Sequence, residues 1–234
     1  MDYFEKLPIM NRFTNKIKII IKRTIPRNFL IQKIPKSISE KSVLLTFDDG
    51  PDPEITPQVL DLLSLYEVRA IFFIPGRRIS RAPSLLVKII KQGHIIGNHT
   101  FIHANDRQPG FFSYLEDIKK CQKMIFDLCG TPPRFFRPPG GVISFTTLLA
   151  SKLVGLQLMT WSLDVHDWQC KSKEDADIAA YELINTVKSG DIVLLHDDNK
   201  NILHLLKVAL PALKKKGYFM HEHDYLNPIW SKMK

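Results

Sequence analysis

The chain has 234 residues, three cysteines and a formal net charge of +9 at pH 7. Its length fits one large domain or two small ones, and a hydrophobic content of 44% fits a globular protein with a sizeable core. The three cysteines show no Cys-x-x-Cys spacing, which excludes a zinc ribbon and a fold that depends on disulfides.

The positive charge is concentrated at the N-terminus. Residues 1–39 contain nine Lys and Arg but only Asp2 and Glu5, so they carry seven of the nine net charges. The remainder is nearly neutral and offers no basic face for nucleic acid. We therefore expect no nucleic-acid partner.

The first predicted element is an amphipathic helix at residues 9–21, within a basic N-terminal segment of residues 1–40. Apolar residues recur there in steps of three and four, with basic residues mostly on the other face. Such a helix can pack on the main domain, or lie on an anionic membrane surface as a peripheral contact. We favour packing, because the apolar residues between 29 and 35 lead directly into the first predicted strand.

The sequence shows neither a recognisable secretory signal nor a run of 18 or more apolar residues. The expected location is the cytoplasm or the cytoplasmic face of the membrane.

From residue 41 to residue 234, short apolar runs alternate with helical periodicity. This alternation without internal repeats predicts an α/β domain with parallel strands, either a barrel or a doubly wound sheet. The predicted strands are 43–47, 70–74, 94–97, 134–136, 156–160, 192–195 and 218–220, and the predicted helices are 55–66, 83–92, 112–129, 145–153, 174–188 and 201–215.

Polar residues cluster where these strands end. Asp48 and Asp49 directly follow a buried strand, an arrangement that needs a positive partner, although Asp-Gly-Pro is also ordinary turn chemistry.

His99 and His103 are four residues apart and can face the same way on a helical turn. Alone, such a pair is a weak signal. Two histidines and one carboxylate, however, form a catalytic ligand set for zinc that leaves positions open for water and substrate.

Further motifs follow the later strands, at residues 137–141, 161–168 and 194–197. Taken in order, the motifs of residues 46–196 resemble the polysaccharide deacetylase family (carbohydrate esterase family four). They are Thr46-Phe47-Asp48-Asp49-Gly50-Pro51, His99-Thr100-Phe101-Ile102-His103, Arg137-Pro138-Pro139, Asp167-Trp168 and Leu194-Leu195-His196. The resemblance implies a distorted (β/α) barrel, usually of seven strands, that hydrolyses N-acetyl or sometimes O-acetyl groups on sugars.

The resemblance also implies a role for each motif residue. The metal ligands fall on Asp49, His99 and His103. The general base falls on Asp48, which Arg137 holds, and the general acid falls on His196, whose acidity is set by Asp167. The pocket for the acetyl methyl falls on Trp168 and Leu194. Gly140 stands where the family usually has an aromatic residue whose backbone N–H helps bind the oxyanion. The N–H is retained, so oxyanion stabilisation survives in principle.

The cofactor implied is one divalent ion, zinc first, with cobalt, nickel and manganese as alternatives. Such an ion lowers the pKa of its bound water and polarises the acetyl carbonyl. The partner expected is an N-acetylated carbohydrate, and the motifs leave open peptidoglycan, chitooligosaccharide, exopolysaccharide and lipid-linked or nucleotide-linked sugars. The competing interpretations are a catalytically silent carbohydrate-binding barrel and a membrane or nucleic-acid adaptor built on the basic segment.

Overall fold

The structure, a computed structural model, describes residues 30–34, 41–104 and 110–220. The amphipathic helix predicted at residues 9–21 lies outside these residues. Their fold is a single parallel sheet flanked by helices.

Eight strands and seven α-helices make up the described part of the chain. The strands are β1 (Leu30–Ile31), β2 (Leu44–Asp48), β3 (Ala70–Ile74), β4 (Ile95–Asn98), β5 (Phe135–Phe136), β6 (Gln157–Met159), β7 (Leu163–Asp164) and β8 (Ile192–His196). The helices are α1 (Ile55–Leu65), α2 (Gly76–Ile79), α3 (Pro83–Lys91), α4 (Phe111–Cys129), α5 (Phe145–Leu153), α6 (Lys173–Thr186) and α7 (Ile202–Lys215). Among these helices none is long and apolar enough to span a membrane.

The sheet has the strand order β1-β6-β5-β4-β3-β2-β8-β7, and every pairing in it is parallel. It curls into a distorted barrel, as predicted, but the strand count is eight rather than seven. Strands β1 and β7 were not predicted, although the equally short β5 was: β1 lies in the segment assigned to the N-terminal extension, and β7 lies within the polar motif at 161–168. The predicted strand at 218–220 is reduced to one bridge between Phe219 and Ser42.

Local signals fix several helix ends. Capping boxes start α5 at Ser144 and α6 at Ser172, where the hydroxyl of each serine accepts the backbone N–H of the residue three positions later. Pro83 occupies the first turn of α3. Gly130 ends α4 in the left-handed conformation at φ 71°.

Side-chain alternation divides the sheet into an inner and an outer face. The inner cluster is apolar and includes Leu44, Ile71, Phe73, Phe135, Met159 and Ile192, whereas residues such as Leu45, Phe72 and Val193 pack outward with the helices. Because alternate residues of a strand share a face, Asp48 lies on the side of Leu44, and His196 lies on the side of Ile192. The carboxyl ends of the strands therefore place polar side chains above an apolar barrel floor.

The barrel closes through short segments rather than a long ladder. Ile34, three residues after β1, donates its N–H to Gly190 O, just before β8, at 2.8 Å. Asp191, at the start of β8, accepts from Lys33 Nζ at 2.8 Å, from Ser162 Oγ at 2.8 Å and from Lys188 N–H at 2.7 Å. Residues 30–34, part of the predicted N-terminal segment, thus belong to the barrel.

We predict that Asp191→Ala lowers the free energy of unfolding by about 2–4 kcal/mol, because it removes a buried acceptor shared by three donors. Lys33→Ala should cost less than about 1 kcal/mol, because the lysine side chain is half exposed and its ion pair is screened by water. Urea unfolding of both variants measures the difference, and equal losses would show that Asp191 does not close the barrel.

Candidate active site

A buried ion pair crosses the barrel interior from β5 to β2. Arg137 follows β5 and is 0% exposed, and Asp48 ends β2 and is 4% exposed. Arg137 Nη1 donates to Asp48 Oδ1 at 2.6 Å and to Thr46 Oγ1 at 2.9 Å. Its Nε and Nη2 donate to the carbonyls of Met159 at 3.3 Å and Thr160 at 3.2 Å. The buried charge is therefore paired, and each guanidinium nitrogen has an acceptor.

Asp49 begins the loop after β2 in a left-handed conformation, with φ 70°. A residue other than glycine is strained at that φ and keeps this conformation only when the surrounding structure holds it there. Such strained residues are frequent at functional sites. The turn separates the two carboxylates, so Asp48 reaches Arg137 while Asp49 reaches His103 Nε2, 2.8 Å from its Oδ1. The two adjacent acids therefore serve different partners.

The histidine pair lies on an irregular loop after β4, not on a helical turn. Thr100 and His103 both have positive φ, 62° and 59°, and His103 N–H donates to Thr100 Oγ1 at 3.1 Å. Asp117 of α4 accepts the N–H groups of Phe101 at 3.0 Å and Ile102 at 3.2 Å. These bonds fold the loop so that both imidazoles converge.

The ligand atoms of Asp49, His99 and His103 all lie within 4.8 Å of one another. The two Nε2 atoms are 3.1 Å apart. His99 Nδ1 lies 2.7 Å from Arg137 O, so Nδ1–H donates to this carbonyl and the Nε2 lone pair faces the cluster. Asp49 Oδ1 is buried and accepts no hydrogen bond within the described residues, although His103 Nε2 is close.

This donor set fits a divalent ion. Burial lowers the pKa of His99, which keeps its imidazole in the neutral, metal-binding form. Burial alone would raise the pKa of Asp49, but the neighbouring imidazoles of His103 and His99 hold this pKa below its ordinary value. A cation among the three ligands would also satisfy the unpartnered Oδ1. Two imidazoles and one carboxylate leave coordination positions open.

A second carboxylate–imidazole pair lies at the end of β8, the strand that pairs with β2. His196 ends β8, and its Nδ1 lies 3.0 Å from Asp167 Oδ1, while its backbone N–H donates to Asp167 Oδ2 at 2.7 Å. Burial lowers the pKa of His196, but the Asp167 carboxylate outweighs it and, with Asp48 and Asp49, raises this pKa to about 9. The imidazolium form of His196 is thus favoured at neutral pH.

The three residues expected to bind substrate lie in different environments. Leu194 is buried in β8 on the same face as His196, and Trp168 is 55% exposed in the short turn after β7. Gly140 has φ 61°, and a Cβ there would meet only Val142 within 4 Å, at 3.9 Å. A Cβ at position 140, where the family usually has an aromatic residue, would therefore meet no close contact.

The structure also gives contacts to residues whose roles were not predicted: Thr46 and Asp197, which lie within the motifs at 46–51 and 194–197, and Asp117, which lies in none of them. Thr46 binds Arg137, Asp117 binds the histidine loop, and Asp197 contacts the Asp48–Asp49 turn. Thr46 occupies an inward position two residues before Asp48, a signal that period-two counting could have found. Asp117 lies within an ordinary helix pattern and gives no such signal.

Comparisons with known proteins identify the family of the chain. Residues 36–159 match the family model for polysaccharide deacetylases. A peptidoglycan-N-acetylglucosamine deacetylase of Bacillus cereus is 38% identical over 205 residues, which cover 86% of this chain and 93% of that protein. The peptidoglycan-N-acetylmuramic acid deacetylase PdaA of Bacillus subtilis is 31% identical over 204 residues, covering 85% of this chain and 78% of that protein.

A solved structure has the same fold. The peptidoglycan deacetylase PdaC from Bacillus subtilis superposes with a TM-score of 0.74 at 27% identity, over 83% of this chain and 94% of that one. The family model covers more than half of the chain, and the Bacillus cereus relative matches along nearly its whole length. The chain therefore belongs to the polysaccharide deacetylase family and is a hydrolase of carbohydrate acetyl groups.

Proposed function

We propose that this chain hydrolyses the acetamide of N-acetylhexosamine residues in peptidoglycan, as polymer or as lipid-linked precursor. The observation that carries the proposal is one cluster of potential ligands, Asp49, His99 and His103, together with the carboxylate of Asp48 and the imidazole of His196 at the ends of the paired strands β2 and β8. The names of the Bacillus cereus and Bacillus subtilis relatives support the choice of glycan.

Asp49, His99 and His103 would hold one divalent ion, zinc in our proposal. When bound, the ion supplies a Lewis acid that acidifies water and polarises the acetyl carbonyl. The remaining chemistry falls to the residues around it, which must accept one proton and deliver another.

Asp48 is placed to accept the proton of the attacking water. Its Oδ1 is held by Arg137, and its Oδ2 lies 3.7 Å from His99 Nε2, facing the ligand cluster. A carboxylate fixed in this way needs no reorganisation before it accepts a proton.

His196 is placed to protonate the leaving nitrogen. Its Nδ1–H donates to Asp167, which leaves Nε2–H for the substrate. As the new carbon–oxygen bond forms and the carbon–nitrogen bond breaks, this proton goes to the sugar amine and acetate is released. The backbone N–H of Gly140 is proposed to stabilise the oxyanion, and Leu194 and Trp168 to contact the acetyl methyl.

We predict that His103→Ala abolishes or greatly weakens metal binding, because two protein ligands rarely hold zinc firmly. His204→Ala is the control, since His204 pairs with Asp177 on the outer helices, away from the cluster. Elemental spectrometry of both purified variants measures the metal content. Full occupancy at unchanged affinity in His103→Ala would contradict the ligand assignment.

We predict that Asp48→Asn lowers kcat by ~10²–10⁴, because an amide cannot accept the proton of water. Zinc content should stay at the wild-type level, because Asp49 and both histidines are intact. Acetate release from N-acetylated chitooligosaccharide and peptidoglycan fragments measures the rate, and a melting curve confirms that the variant is folded. A rate within a few-fold of wild type would reassign Asp48 to a structural turn.

We predict that Asp167→Asn moves the alkaline limb of the pH–rate profile to lower pH by about one unit or more. The reason is that Asp167 raises the pKa of His196 to about 9, while burial, which lowers it, remains in the variant. The acid form is therefore lost at lower pH. Asp177→Asn removes a similar carboxylate–imidazole pair on the outer helices and should leave the profile unchanged. An unmoved limb in Asp167→Asn would remove His196 from the role of acid.

A further inference from the structure

Asp197 is a buried carboxylate next to the catalytic residues that the proposed reaction does not use. We propose that Asp197 is a positioning residue, which holds the Asp48–Asp49 turn against the end of β8 and so fixes the metal ligand and the base relative to His196. This inference rests on the function proposed above.

The backbone of Asp197 already connects the two strand ends. It directly follows His196 and is 1% exposed. Its N–H donates to Asp48 O at 3.4 Å, one step beyond the register pairing of Asp48 with His196. The hydrogen-bonded ladder between β2 and β8 therefore ends beside Asp48 and His196, the last residues of the two strands.

The side chain extends this connection into the loop that carries Asp49. Asp197 Oδ2 accepts the hydroxyl of Thr56, and Thr56 Oγ1 in turn accepts the backbone N–H of Asp52 at 2.8 Å. Asp52 Oδ1 accepts the N–H of Ile55 at 3.0 Å. A chain of hydrogen bonds thus connects residues 52–56, which follow the Asp48–Asp49 turn, to a single carboxyl group.

The other carboxyl oxygen lies directly against the turn. A Cβ on Gly50 would stand 2.1 Å from Asp197 Oδ1, so the carboxyl group fills the space that a side chain at position 50 would need. This oxygen is buried and has no hydrogen-bond partner among the described residues. Such burial is costly, and it raises the pKa of Asp197 to about 7. An apolar residue would avoid the cost, but it could not accept the Thr56 hydroxyl.

The test compares Asp197→Ala with Asp197→Asn and with Asp191→Ala. Asp191 is a buried aspartate at the opposite end of the same strand, so it controls for a general loss of stability. The affinity of each metal-free protein for zinc is measured by competition with a chromophoric chelator. Acetate release then gives kcat and KM separately, and a melting curve gives the stability of each variant.

Asp197→Ala should weaken zinc affinity and lower kcat by ~10–100-fold each, with KM little changed, because the displaced groups act on metal and water rather than on the sugar. Asp197→Asn should recover most of both losses, because its amide oxygen can accept the Thr56 hydroxyl. Asp191→Ala should melt earlier than wild type, yet bind zinc with wild-type affinity.

Wild-type zinc affinity and kcat in Asp197→Ala, with only a lower melting temperature, would overturn the inference. If Asp197→Ala does not fold, Thr56→Val removes the hydroxyl that links Asp197 to the N–H of Asp52, and it should shift zinc affinity and kcat in the same direction; no shift would equally overturn the inference. Failure of the proposed function looks different, since the wild-type protein would then bind zinc but release no acetate. The affinity comparison still decides the role of Asp197 in that case.

Discussion

The buried guanidinium of Arg137 is the constraint on which the rest of the site depends. A fully buried cation is tolerated only when its charge and its donors are satisfied. Asp48 and Thr46 of β2 satisfy it together with two carbonyls at the end of β6, and its Cζ lies 4.1 Å from the centroid of the Phe73 ring. One side chain thus fixes the distance between opposite walls of the barrel and holds the proposed base there.

Carboxylates and imidazoles alternate around the Arg137–Asp48 ion pair. Carboxylates of Asp48 and Asp49 face His99 and His103, and the carboxylate of Asp167 faces His196. Each acid therefore lies next to an imidazole, which reduces the repulsion among the buried carboxylates of Asp48 and Asp167 and the partly buried carboxylate of Asp49. The same arrangement separates the neutral imidazole of His99, which can bind a metal, from the imidazolium of His196, which can give up a proton.

Much of this could be predicted from the sequence, because residue type and strand position agree. Strands β2 and β3 are apolar runs of the expected length, and β2 ends at Asp48, directly before Asp49. The two-residue strands β1 and β7 were not predicted, because they depend on tertiary contacts and β7 lies within a polar motif, whereas the equally short β5 is apolar and was predicted. Asp117 was missed, and Asp197 was placed in a motif without a role, because the importance of both lies in what they contact across the fold.

Arg137 also contributes through its main chain, because its carbonyl accepts Nδ1–H of His99 and so sets which imidazole nitrogen is free for a metal. Mutation affects the side-chain contribution and the main-chain contribution differently. A mutation can delete the guanidinium that holds Asp48, but no substitution short of a backbone rearrangement deletes a carbonyl. A lineage that lost the arginine would therefore keep an oriented metal ligand without a held base. Under the proposed roles, loss of the arginine would therefore act first on the base Asp48, while the carbonyl that orients His99 would remain in the chain.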